Sequence, residues 1–205
     1  MATVTERQAK TQYLYREDGV IIGYSLKCAS TFIYKSSKCI KRMGIHEAWE
    51  HKHSDENPRI VLVVRHPIDR LVSNYVFWRT VNKGAMKGLL ANHPENGPVV
   101  HLLKEDVDLT IEEFFDYIER KYNAHWADQA KYHTYNGELV PNILYPIEAL
   151  ELCKAEKINP SPREGTWEDY VTPEFREQLE VRYADDIALY ERAQAEWDGK
   201  RPKYF

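Results

Sequence analysis

Two short segments carry side chains suited to holding anions. The first is Gly23-Tyr24-Ser25-Leu26-Lys27-Cys28-Ala29-Ser30-Thr31, which follows the apolar run Val20-Ile21-Ile22. A loop between a strand and a helix is a common phosphate site in α/β proteins. The helix start leaves backbone N–H groups without intrahelical partners, and its dipole favours negative charge. Lys27 adds a full positive charge there, and Ser30 and Thr31 add hydroxyl donors. The second segment, Arg65-His66-Pro67-Ile68-Asp69-Arg70-Leu71-Val72-Ser73, follows the run Ile60-Val61-Leu62-Val63-Val64. A fork-shaped guanidinium at a strand end, with a hydroxyl on the next helix, makes a phosphate clamp.

The same residues exclude other chemistries. A Walker A loop needs Gly-Lys-Ser/Thr in direct succession, and here Lys27 precedes Ser30 by three positions. A nucleoside triphosphatase also wants an acidic residue at a strand end to hold magnesium, whereas this strand ends in Arg65. The pattern is two anion sites and no metal cage. A P-loop nucleotide or small-molecule kinase is the rival enzyme, with ATP binding and a magnesium requirement as its marks. Proton transfer would fall to a histidine or a carboxylate. His46 and His125 rank ahead of His51 for that role, and the charged stretch Glu47 to Glu56 reads mostly as a solvated loop. The spacing of His46, His51 and His53 matches no zinc motif, so no metal is expected. Cys28, Cys39 and Cys153 are odd in number and lack CxxC spacing, which fits neither a disulfide framework nor a zinc site. Cys28 reads as a small filler within the first loop.

The elements that would position these residues follow from periodicity. Val20–Tyr24 reads as a buried strand, and helical spacing from about Ala29 carries on through Phe32, Ile33, Ser36 and Ile40. Arg59–Val64 is continuous and β-branched, as expected of a strand covered on both faces. Pro67 suits a first helical position, with Ile68, Leu71, Val72 and Tyr75 along one face. Asn82 to Glu105 reads as a loop-rich excursion. Thr110-Ile111-Glu112-Glu113 is a capping box, Val140–Tyr145 a third strand, Pro146–Lys154 a helix, and Thr172-Pro173-Glu174 opens a helical C-terminal segment reaching about Trp197. Strand–helix alternation predicts an α/β fold: a single domain over residues 1–205, with a central, mostly parallel sheet flanked by helices and a loosely ordered segment at 1–12. The net charge of −4 gives no general attraction to nucleic acid or anionic membrane. With no signal sequence and no long apolar run, a cytoplasmic location is expected.

These residues resemble the sulfotransferases that use 3′-phosphoadenosine 5′-phosphosulfate (PAPS), and more closely their carbohydrate O-sulfotransferase branch. Lys27-Cys28-Ala29-Ser30-Thr31 is similar to the family's 5′-phosphosulfate loop, with Ala29 in place of the usual glycine. Arg65, followed eight positions later by Ser73, is similar to its 3′-phosphate segment. His125-Trp126-Ala127-Asp128-Gln129 resembles a His-Trp-x-Pro-Gln stretch, with Asp128 replacing proline. Asn142 to Leu150 resembles a strand followed by an acidic residue and leucine, and Arg182 to Tyr190 the terminal helix. The loop bearing Arg163, Gly165 and Trp167 loosely resembles the Arg-Lys-Gly loop of the aryl branch. The resemblance implies a P-loop-like sulfotransferase fold and in-line transfer of a sulfonate to the hydroxyl of a carbohydrate or small molecule, leaving adenosine 3′,5′-bisphosphate (PAP). It implies Lys27 at the bridging oxygen, Cys28 to Thr31 around the 5′-phosphate, and Arg65, Ser73, Arg163 and Gly165 at the 3′-phosphate. A degenerate member that binds PAP without turnover is the second alternative, against which Lys27, Arg65 and Ser73 stand intact.

Overall fold

The computed structural model describes residues 13–36, 38–80, 109–120, 126–153 and 164–205. They group into two compact units: Met1–His66, Asp128–Asn159 and Ala184–Phe205 in one, Pro67–Ala127 and Pro160–Tyr183 in the other.

The first unit is built on five strands: β1 (Tyr13–Arg16), β2 (Val20–Gly23), β3 (Cys39–Met43), β4 (Arg59–Val64) and β7 (Ile143–Pro146), in the order β3-β1-β2-β4-β7. β5 (Thr134–Tyr135) and β6 (Glu138–Leu139) form a separate hairpin. β2–β4 and β4–β7 pair in parallel, but β1 pairs antiparallel with both β2 and β3. The sheet is therefore mixed rather than mostly parallel. The cause is a tight turn at Asp18-Gly19, where Gly19 has φ 77° and its N–H donates to the Arg16 carbonyl at 3.1 Å. A turn this short can only return an antiparallel strand, since a parallel pair needs a long crossover.

Strand alternation separates two apolar faces. Tyr13, Ile21 and Ile60 lie under α2 (Ile45–Ser54), whose Ile45 and Ala48 complete that cluster. Leu62, Val64 and Leu144 of the same sheet meet Leu189 and Ala193 of α7 (Ala184–Glu196). On the opposite face, Leu14, Val20, Ile22, Val61 and Val63 pack with Ile33 of α1 (Ser30–Ser36), and Phe32, Tyr204 and Phe205 lie against them. Val61, Leu62, Val63 and Val64 are all fully buried, as the unbroken apolar, mostly β-branched run predicts. Burying each such side chain stabilises the fold by about 1.5–3 kcal/mol.

Several boundaries differ from the sequence expectation. The helix after the first loop ends at Ser36, and Cys39–Met43 leaves it for an edge strand. The charged stretch after Gly44 is the helix α2, not a loop: the Gly44 N–H donates to Glu47 Oε2 at 3.0 Å and sets its first turn. The segment after Pro146 is a 3-10 helix, Ile147–Cys153. Asn142 fixes the start of β7 by accepting from Ile60 N–H at 2.9 Å and donating to Pro58 O at 2.7 Å.

The second unit contains α3 (Pro67–Thr80), α4 (Ile111–Glu119), a 3-10 turn (Trp167–Asp169) and α6 (Pro173–Arg182). Thr110 and Glu113 form the expected capping box, and Thr172 caps α6 by accepting from Phe175 N–H at 3.3 Å. Tyr75 packs on Phe114, and Phe115 on Phe175. The helical C-terminal segment is thus two helices, broken at Tyr183. A short helix, α5 (Gln129–Tyr132), belongs to the first unit.

Candidate active site

Parallel pairing of β2, β4 and β7 puts their carboxyl ends on one edge of the sheet, the edge where ligands bind in open α/β sheets. The first loop leaves β2 at Gly23, and Arg65 follows β4 directly. Gly23 is dictated by packing. It pairs with Tyr13 across the antiparallel ladder, and a Cβ on it would meet the Tyr13 ring at 2.8 Å.

Beyond Gly23 the chain turns tightly. The Cys28 N–H donates to the Ser25 carbonyl at 3.2 Å, and Lys27, third in that turn, has φ 65°. Ala29 follows at φ 55°. Each non-glycine residue in this region costs about 1–2 kcal/mol, so the loop is held in shape by what surrounds it. Positive φ at Ala29 also explains why glycine suits that position. Lys27 is half-buried, and burial together with the Arg65 charge pushes its pKa down to about 7.

The two segments are joined. Arg65 Nη1 donates to the Lys27 carbonyl at 2.9 Å. Behind them lies a buried polar cluster that the sequence reading did not assign a role. Gln129 Nε2 donates to the Arg65 carbonyl at 2.7 Å, and Gln129 Oε1 accepts from Arg65 N–H at 3.1 Å and from the Cys28 thiol at 2.9 Å. The Asp186 carboxylate accepts from the N–H groups of Gln129 and Ala130, both at 2.8 Å. Beside it, Ser25 Oγ lies 3.0 Å from His133 Nε2, and Tyr13 OH 3.0 Å from His133 Nδ1. Burial pushes the Tyr13 phenol well above its ordinary value, so it keeps its proton. With that proton donated to Nδ1, a neutral ring would carry its own at Nε2, facing Ser25 Oγ. Ser25, Gln129, His133 and Asp186 are all at most 1% exposed.

The other expected residues sit as follows. Ser30 opens α1 and Thr31 follows within it; the Thr31 side chain, His125 and Arg163 lie outside the described residues, as does the stretch from Asn82 to Glu105. Ser73 is buried in α3 of the second unit. Gly165, also in that unit, has φ 75° just before the Thr166–Asp169 turn, where a Cβ would collide with the Asp169 carboxylate. Its identity is therefore fixed locally by the turn. Trp167 packs under the Arg176 guanidinium at 5.2 Å. His46 is exposed on α2, 3.4 Å from Glu50 and edge-on to Tyr135. His51 and His53 reach different carboxylates, Asp55 and Glu138. Among the described residues no group of three or more His, Cys, Asp or Glu side chains is placed to hold a metal ion.

The resemblance motifs at 125–129 and 182–190 meet physically, at Gln129 and Asp186. Glu148, from the motif at 142–150, accepts from Tyr190 OH at 2.9 Å and so holds α7. Asp128 has φ −56°, a value proline adopts, which accounts for proline as the alternative there. Neither a curated protein nor a solved structure matches the chain. A family model does: that of the sulfotransferase family matches residues 25–156, from the Lys27 loop through Gln129 and the 3-10 helix after β7. That match covers more than half of the chain, and the protein belongs to the sulfotransferase family.

Proposed function

We propose that the protein transfers a sulfonate from PAPS to the hydroxyl of a carbohydrate or small molecule, acting in the cytoplasm as one sulfotransferase domain with a P-loop-like anion site. The observation that carries this reading is the junction of the two anion segments. Lys27 and Arg65 leave adjacent parallel strands and are tied by a 2.9 Å hydrogen bond, which concentrates two cationic side chains at one sheet edge. The Cys28 to Thr31 segment would surround the 5′-phosphate with the N–H groups of Ala29 to Thr31 and the Ser30 and Thr31 hydroxyls, the Cys28 N–H being committed to the Ser25 carbonyl. Arg65 and Ser73, with Arg163 and Gly165, would hold the 3′-phosphate. No metal is needed where lysine and arginine supply the charge.

In the transfer, the acceptor oxygen attacks sulfur as the bond from sulfur to the bridging oxygen breaks. The bonding pair stays on the bridging oxygen, which becomes a 5′-phosphate oxygen of PAP. Lys27 stabilises the charge growing there. The acceptor proton passes to a base, for which His46 and His125 are the candidates. The base is the residue whose alanine variant loses the acidic limb of the pH–rate profile; retention of that limb in both variants rejects the pair.

Thermal shift tests the donor, since a ligand that binds only the folded state stabilises it by mass action. PAP is expected to raise Tm well beyond AMP, ADP or ATP, and Arg65→Ala to abolish the excess. Equal or larger shifts with ATP would overturn the reading in favour of a kinase.

A further inference from the structure

The donor reading uses Lys27 and Arg65 but leaves the buried amide behind them unexplained. Gln129 touches both segments at once. Its carboxamide brackets the Arg65 backbone as a neighbouring strand would, donating to the carbonyl and accepting from the N–H. The same Oε1 takes the Cys28 thiol proton from within the loop. With the bond from Arg65 Nη1 to the Lys27 carbonyl, this closes a ring of contacts: Lys27, Cys28, Gln129, Arg65 and back. Gln129 is itself fixed, because Asp186 holds its N–H and the next one at 2.8 Å.

Such an arrangement is costly unless it serves a purpose or is fully satisfied. A buried carboxylate and a buried amide each pay a desolvation penalty, and an apolar side chain could fill the volume. A leucine or methionine at 129 could pack between loop and strand but could not hold their separation, since apolar contact has no direction. Hydrogen bonds do, and these three terminate on backbone or thiol groups belonging to the two anion segments.

We propose that Gln129, anchored by Asp186, is a positioning residue that sets the spacing between the Lys27 loop and Arg65, and through it the preference for a 3′,5′-bisphosphate over a 5′-monophosphate. The proposal rests on the donor reading. A ligand with one phosphate can settle into either anion segment alone. A ligand with two must meet both at once, so only its affinity depends on their spacing.

Gln129→Met keeps length and apolar volume and removes all three side-chain bonds. Calorimetric affinities for PAP and for AMP are measured on it, on Asp186→Asn and on Arg65→Ala. In Gln129→Met the PAP-to-AMP preference is expected to fall by about tenfold or more, while AMP affinity changes less than about threefold. Asp186→Asn, which keeps one acceptor oxygen for the two N–H groups, is expected to lower the preference by about threefold. Asp186→Asn carries the test if Gln129→Met does not fold. A wild-type preference in the folded variants, or affinities for both ligands that fall together, would overturn the positioning role. Arg65→Ala separates the two levels: a preference untouched by that variant rejects the donor reading itself.

Discussion

The Lys27 loop and helix α2 both offer residues that could act on a substrate, and they are built in opposite ways. The loop is strained at Lys27 and Ala29 and is backed by Ser25, Gln129, His133 and Asp186, all buried. Helix α2 carries His46, Glu47 and Glu50 on its exposed surface, where His46 lies 3.4 Å from Glu50 and Lys41 pairs with Glu47 at 2.9 Å. Exposed pairs of this kind contribute about 0–1 kcal/mol. Buried networks that are fully satisfied fix one geometry. The contrast teaches that the Lys27 loop, proposed to hold the anion, is preorganised by the fold in the way electrostatic catalysis requires, whereas the α2 surface can be altered at small cost to the fold.

The sharpest way to break this contrast is Lys27→Ala. Turnover is expected to fall by about 10²–10³-fold, with PAP affinity kept within about tenfold, measured by a sulfonate-transfer assay and calorimetry. Near-normal turnover would remove Lys27 from the chemistry. Next is Gly23→Ala, whose new Cβ would press on the Tyr13 ring at 2.8 Å. It is expected to cost about 1–3 kcal/mol of stability in denaturant unfolding. An unchanged midpoint would mean the loop start is not held by Tyr13.

A third test uses acidity. Lys27 is held at about 7 in the anion-free protein, below its ordinary 10.5, so the unfolded chain binds the extra proton between those values. Stability of the anion-free protein therefore rises with pH from about 7 to 10.5, and the destabilisation is fully present below 7. Bound phosphate favours the ammonium form, so PAP affinity should fall as pH rises through 7 and upward, with proton uptake visible as buffer-dependent binding heat. Lys27→Ala should remove both effects; an uptake that persists in that variant belongs to another group. The smallest effect is on α2. His46→Ala is expected to change stability by less than about 0.5 kcal/mol, and a larger loss would show that the surface pair matters to the fold.

Much of this was legible in the chain. Ile60 to Val64 announced a strand buried on both faces, Thr110 and Glu113 a helix start, Lys27 a loop following a strand and Arg65 the end of another; that the two strands are neighbours emerges only from their pairing. What escaped were contacts between distant segments. The antiparallel half of the sheet rests on the Asp18-Gly19 hairpin, whose first strand carries only the short apolar run Tyr13-Leu14-Tyr15, too brief to mark a strand by its own pattern. The mixed charges of Glu47 to Glu56 hid a helix because its apolar stripe is thin, with only Ile45 and Ala48 buried. Gln129 and Asp186 lay inside motifs already singled out, but their roles depend on a hydrogen bond spanning 57 positions, which no local pattern encodes. His133 gave no signal at all, being one histidine among eight.

That reach along the chain has a consequence for when the protein becomes competent. The groups that lock the loop come from positions 13, 65, 129, 133 and 186, and the Tyr13–His133 bond alone spans 120 residues. Contacts of such long range form late, because loop closure must come before they can stabilise anything. During synthesis, the Lys27 loop emerges long before Gln129 and Asp186 exist to brace it. On the proposed function, donor binding would report on the last stage of folding, and a nascent or partly folded chain would carry Lys27 and Arg65 without a site.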